Sequence, residues 1–157
     1  MLVTSLIIST VMVFITVIIH LAGLSALMAV MRVRADHIRP YESFLRQAVF
    51  LAGVVIGLFA LHTLEIWAYA IVYSVLGEFA SFEEALYFST SAFTTVGFGD
   101  VIQAQPWRMV GAIESANGFL LIGWSTAFLL SVITRLRSAE FDWLDRRAKN
   151  RDEDLPG

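Results

Sequence analysis

Three stretches of this chain, residues 1–31, 47–64 and 115–134, contain no Asp, Glu, Lys or Arg. A helix needs roughly 20 apolar residues to cross a bilayer core of about 30 Å, and each stretch meets or approaches that length. Charged residues make up 16% of the chain, against about a quarter in a soluble domain. The shortfall is gathered into these blocks, which predicts an integral membrane protein. The first block lacks a basic leader and far exceeds the apolar core of a signal peptide, so it reads as a retained helix. Cysteine is absent, and with it disulfides, thiolate metal sites and thiol chemistry. No basic patch interleaved with aromatics is present, so no nucleic-acid partner is expected.

Four hydrophobic elements follow, over about 2–31, 48–76, 82–93 and 107–136. The third has 12 residues, roughly 18 Å as a helix, too short to span and therefore re-entrant or interfacial. The expected fold is an all-α membrane protein with three transmembrane helices and one re-entrant segment. It divides into an N-terminal helix (1–31), a basic linker (32–47), a two-span unit (48–136) and a polar tail (137–157). Phe141 and Leu144 in that tail suggest a short amphipathic helix that frays. Ten of the 11 Lys and Arg residues lie in the linker or from Arg135, at the end of the last span, onward, Arg108 being the exception. The bias of basic loops toward the cytoplasm places the amino terminus outside, the linker and tail inside, and the re-entrant segment opening outward.

The re-entrant segment begins with Ser81-Phe82-Glu83-Glu84, a capping-box pattern. It leads into Thr94-Thr95-Val96-Gly97-Phe98-Gly99-Asp100. A half-helix entering the membrane points the negative end of its dipole at the interior and favours a cation there. Irregular backbone at that depth is tolerated where it lines an aqueous path. A potassium ion sheds water only where other oxygens replace its shell, as stacked main-chain carbonyls do. Aligning those carbonyls takes alternating left-handed backbone, which Gly97 and Gly99 reach without steric cost. Carbonyls of Thr95, Val96, Gly97 and Phe98 are then the expected K⁺ ligands, with the Thr95 hydroxyl at the inner end and Asp100 at the outer mouth.

This string resembles the signature filter of the tetrameric potassium-channel superfamily, whose members often carry tyrosine where this chain has Phe98. The resemblance extends over 48–136, and Gly123-Trp124-Ser125-Thr126-Ala127-Phe128 is similar to a group of small bacterial channels with two-helix pores. It implies a pore domain of outer helix, pore helix, filter and inner helix, assembled as a homotetramer in the cell membrane. No cofactor is expected beyond K⁺ as permeant ion, and with no nucleophile–base pair outside the lipid, no phosphate loop and no metal cluster in the sequence, no enzymatic activity is expected. The first helix lies outside that template. Some members carry a pore-helix carboxylate four residues before the filter threonine; Ser91 stands there in this chain.

Within the spans, ionisable residues mark function by default. Glu114 is expected to bond pore-helix hydroxyls such as Thr90, Ser91 or Thr94 and, with Thr94 and Asp100, to support the filter. His62 and Glu65, at i and i+3, suggest a polar clamp between helices with Asn117 as a neutral companion, or a proton-sensitive switch. A metal there would need His20 to complete it. Gly118, and after it Gly123, are hinge candidates in the last helix, the alternative being close helix packing. No span carries arginine at every third position, so no voltage sensor of the usual kind is expected. The other open readings are a weakly selective cation channel and a non-conducting accessory subunit.

Overall fold

A computed structural model describes residues 1–38 and 43–153, which form four helices and no strand. They are α1 (Leu2–Ile38), α2 (Phe44–Val75), α3 (Phe82–Phe93) and α4 (Arg108–Glu153). Three of them, α1, α2 and α4, are long and apolar enough to cross a membrane. Large apolar side chains such as Phe59 (74% exposed) and Phe119 (67%) stand uncovered on them, which a water-facing surface rarely shows on this scale. The chain is a multi-pass membrane protein.

The helices outrun the hydrophobic blocks. α1 continues to Ile38 and α2 starts at Phe44, so most of the expected 32–47 linker is helix; residues 39–42 lie outside the described ones. α4 passes through position 136 without a break and runs to Glu153. The separate, frayed tail helix expected after 137 is instead its continuation. No Gly or Pro intervenes between Gly123 and Pro156, and the intervening Arg, Glu, Ala and Leu are strong helix formers. The 46 residues of α4 extend about 69 Å, well past the bilayer core.

α3 is wedged between α2 and α4, and α1 packs along the outside of the same two helices. One face of α3, carrying Ala85, Ser89, Ala92 and Phe93, is buried. Of these, Ala85 and Phe93 meet Tyr69, Tyr73, Val110 and Leu121 in the first core cluster. A second cluster, Leu24, Val54, Leu58, Leu61 and Val132, closes the opposite half of the bundle. Two local devices aim α3. α2 ends in a Schellman turn, with Gly77 at φ 65°, its N–H donating to the Ser74 carbonyl and that of Glu78 to Tyr73. α3 then starts where Ser81 Oγ accepts from the Glu84 N–H at 3.1 Å, while Glu84 Oε2 accepts from the Ala80 N–H at 3.0 Å.

Candidate functional site

The segment after α3 leaves the helix at Thr94 and runs without regular secondary structure from Val96 to Gly99, a stretch called the filter strand below. Thr95, Gly97 and Gly99 have φ of 61°, 60° and 79°. Positive φ thus falls at every second residue, the backbone alternation that a line of carbonyl ligands requires. Thr95 is a β-branched residue in the left-handed region, which L-residues with branched side chains avoid. Its surroundings therefore hold it there: the Thr95 N–H donates to the Ala92 carbonyl at 2.9 Å.

Ser91 ties the strand to the helix from two atoms. Its carbonyl accepts from the Gly97 N–H at 3.2 Å, and its Oγ accepts from the Phe98 N–H at 3.2 Å. The outer end is held by Tyr87, whose hydroxyl donates to Asp100 Oδ2 at 2.8 Å and whose ring stacks on Phe98 at 6.2 Å. Tyr87 was not singled out in the sequence. Its position on α3, one turn ahead of Ser91, was the available signal.

The Tyr87 bond holds the Asp100 carboxyl below the usual carboxylate range, and the carboxylate in turn raises the Tyr87 phenol. A depressed carboxylate contributes stability above its ordinary pKa and loses it as pH falls through the lowered value. In Tyr87→Phe the Asp100 carboxyl is expected to titrate at higher pH than in the parent, read from its ¹³C signal. An unchanged titration would mean that the hydroxyl does not govern this charge.

Glu114 is fully buried, but it bonds none of Thr90, Ser91 and Thr94. Its partners are Ser89 Oγ and Tyr73 Oη, each donating at 2.5 Å. Thr90 and Thr94 donate to carbonyls of their own helix, those of Leu86 and Thr90. The reason is rotation of α3: Ser89 shares the buried face with Ala85 and Ala92, and the other three hydroxyls do not. The spacing Ala85, Ser89, Ala92 would have selected Ser89. Glu114 thus braces α3 between α2 and α4, at one remove from the strand.

The clamp expected from His62, Glu65 and Asn117 divides in two. His62 Nδ1 lies 2.8 Å from Glu65 Oε2, and His20 Nδ1 lies 2.9 Å from Glu65 Oε1. Asn117 takes no part in it; its Nδ2 donates to Thr16 Oγ1 at 2.7 Å and Tyr69 Oη at 3.2 Å. α1 supplies a residue to both arrangements, and Ser5 Oγ donates to the Pro106 carbonyl at 2.5 Å. Ser5, Ser9, Thr16 and His20 are all fully buried and lie along one helical face. A first span that reads as uniformly apolar therefore carries a polar stripe against the rest of the chain.

Gly118 faces the end of α3. A Cβ there would overlap the Phe93 carbonyl oxygen and lie 2.8 Å from its carbon. Close packing therefore accounts for Gly118, whereas a Cβ on Gly123 meets nothing within 4 Å. Behind the strand, Ser91, Gly97, Gly99, Gln103 and Gly111 line a cavity of about 490 Å³.

The family model described as an ion channel matches residues 49–135, more than half of the chain. No curated protein and no solved structure matches it.

Proposed function

The chain belongs to the ion-channel family, and from that premise we propose that it is one subunit of a homotetrameric, potassium-selective pore. Main-chain oxygens of Thr95, Val96, Gly97 and Phe98, with Gly99 completing the strand, replace the water that K⁺ sheds. The observation that carries this reading is the alternation of left-handed backbone at Thr95, Gly97 and Gly99, at the C-terminal end of a half-helix whose dipole favours a cation. One strand supplies one wall, and cyclic symmetry is the ordinary way to close a ring. Val96 and Phe98, 55% and 68% exposed in the single chain, are the side chains that neighbouring copies would cover.

In this reading α4 lines the inner cavity, Gly123 is the better hinge position, and Gly118 is the packing contact that carries motion of α4 to the end of α3. The amino terminus lies outside and the C-terminal end of α4 in the cytoplasm, following the basic residues of both inner segments. Transport is passive, with no catalytic step. Ser91 stands where a bracing carboxylate occurs in similar channels; here its two bonds to Gly97 and Phe98 hold the strand.

Purified protein in liposomes is expected to pass K⁺ down its gradient and to exclude Na⁺. Comparable flux of both ions, or a reversal potential in mixed K⁺ and Na⁺ that ignores the K⁺ gradient, would establish a weakly selective cation channel. No flux from the protein alone would point to an accessory subunit.

A further inference from the structure

α1 lies outside the matched residues 49–135, yet it places His20 in contact with a carboxylate on α2. We propose that His20, His62 and Glu65 form an intramembrane site for a single exchangeable proton, and that its occupancy sets conduction through the pore. The coupling rests on the channel reading above; the proton site does not.

The geometry assigns the protons. Each oxygen of Glu65 has one imidazole Nδ1 at hydrogen-bond distance, 2.9 Å for His20 and 2.8 Å for His62, so each ring donates from Nδ1 and leaves Nε2 for further chemistry. With both rings neutral, the ionised cluster carries one negative charge; one added proton makes it neutral, and a second makes it positive. Among packed helices in lipid the neutral state is favoured, since an uncompensated charge is costly there. A divalent ion on the same three groups would leave a net positive charge and would compete for nitrogens already facing the carboxylate.

The two rings differ in access. His20 is fully buried against the Trp124 ring at 5.3 Å, and its Nε2 has no partner. A second N–H there would be a buried, unpaired, charged donor, which is worse than a bare lone pair. The His62 side chain is 17% exposed and lines a mostly apolar cavity of about 370 Å³, in which Thr63, Thr90 and Thr94 are the hydroxyl-bearing residues. Being the less buried ring, His62 takes the proton on Nε2, giving an imidazolium, while His20 stays neutral. The other titratable groups turned toward this interior are Tyr69 and Tyr73 on α2 and Glu114 on α4. Among the described residues α1 adds none, and α3 adds none because Glu83 and Glu84 stand exposed at its start.

The site reaches the conduction path through Phe93. The His62 ring lies 5.8 Å from that of Phe93, the last residue of α3, whose carbonyl abuts Gly118 of α4 and which directly precedes Thr94 and Thr95. With the proton bound, the neutral cluster holds α1 and α2 together and keeps Phe93 seated. Proton loss leaves the Glu65 charge uncompensated, loosens that packing and unseats the base of the filter. Conduction therefore falls as pH rises.

The test is K⁺ flux into liposomes, with pH set equal on both sides and stepped across about pH 5 to 8. It is paired with ¹⁵N spectra of the histidines in the full-length protein. Wild-type flux is expected to fall with rising pH, by no more than about tenfold per unit, the limit for one proton. One histidine, His62, should titrate in step while His20 stays neutral. Glu65→Gln should abolish the pH response. A flat wild-type profile, a Glu65→Gln profile like the wild type, or a response to zinc with none to pH would each overturn the proposal. Should Glu65→Gln not fold, the wild-type spectra decide: no titrating histidine, or one out of step with flux, also overturns it. Flux absent at every pH would remove the channel reading and the coupling together, and a titrating His62 would then show that the proton site stands without them.

Discussion

Gly97→Ala is expected to reduce K⁺ flux from reconstituted protein to under about a hundredth of wild type, with assembly intact. Gly97 has φ 60°, and a Cβ there meets nothing within 4 Å inside the chain, so the penalty is conformational rather than steric. Holding an alanine left-handed costs about 1–2 kcal/mol per residue. If four copies line one path, the total is about 4–8 kcal/mol, and each 1.4 kcal/mol corresponds to about a factor of ten. Rotation of the peptide relieves the cost by turning a carbonyl out of line. Gly53→Ala is the control: Gly53 is helical, and its Cβ also meets nothing within 4 Å. That variant should keep flux within about twofold, since Ala only improves helix propensity. If Gly97→Ala conducted like Gly53→Ala, residues 95–99 would not be the ion path.

Much of this arrangement was legible in the residues, and the parts that were not have physical reasons. α3 could be bounded because its start is a local signal, Ser81 to Glu84, and its end is the string from Thr94 to Asp100. The polar face of α1 was not legible. Its hydroxyls donate to carbonyls of their own helix, as Ser9 does to Ser5 and Thr16 to Met12, so the run still reads as an apolar span. Which of its residues meet Glu65 or Asn117 depends on how α1 is rotated against helices far along the chain. The partners of Glu114 depend on the rotation of α3, which turns Ser89 rather than Thr90, Ser91 or Thr94 toward α4. The left-handed Thr95 had no signal, because a threonine does not announce a backbone that only its surroundings impose.

The rotation that brings Ser89 to Glu114 also fixes what losing Glu114 does. Glu114→Ala is expected to lower the stability of the folded protein by about 2–5 kcal/mol, and Glu114→Gln by less than about 1.5 kcal/mol. The Glu114 carboxyl group joins three helices, accepting from Tyr73 on α2 and Ser89 on α3. In the alanine variant Ser89 is not stranded, because its Oγ also lies 2.9 Å from the Ile66 carbonyl and its single proton can turn there. Tyr73 is fully buried, and its hydroxyl loses its acceptor, a cost of about 1–3 kcal/mol. The vacated side-chain volume adds a cavity term. Glutamine avoids both: its carbonyl accepts from Tyr73, and its amide donates to Ser89 while Ser89 donates to Ile66. Thermal unfolding in detergent, followed by circular dichroism, should rank the proteins wild type, Gln, Ala. Tyr73→Phe added to Glu114→Ala should recover part of the loss, since the stranded donor is then gone. An alanine variant as stable as the glutamine one would mean that Glu114 does not hold α3 between α2 and α4.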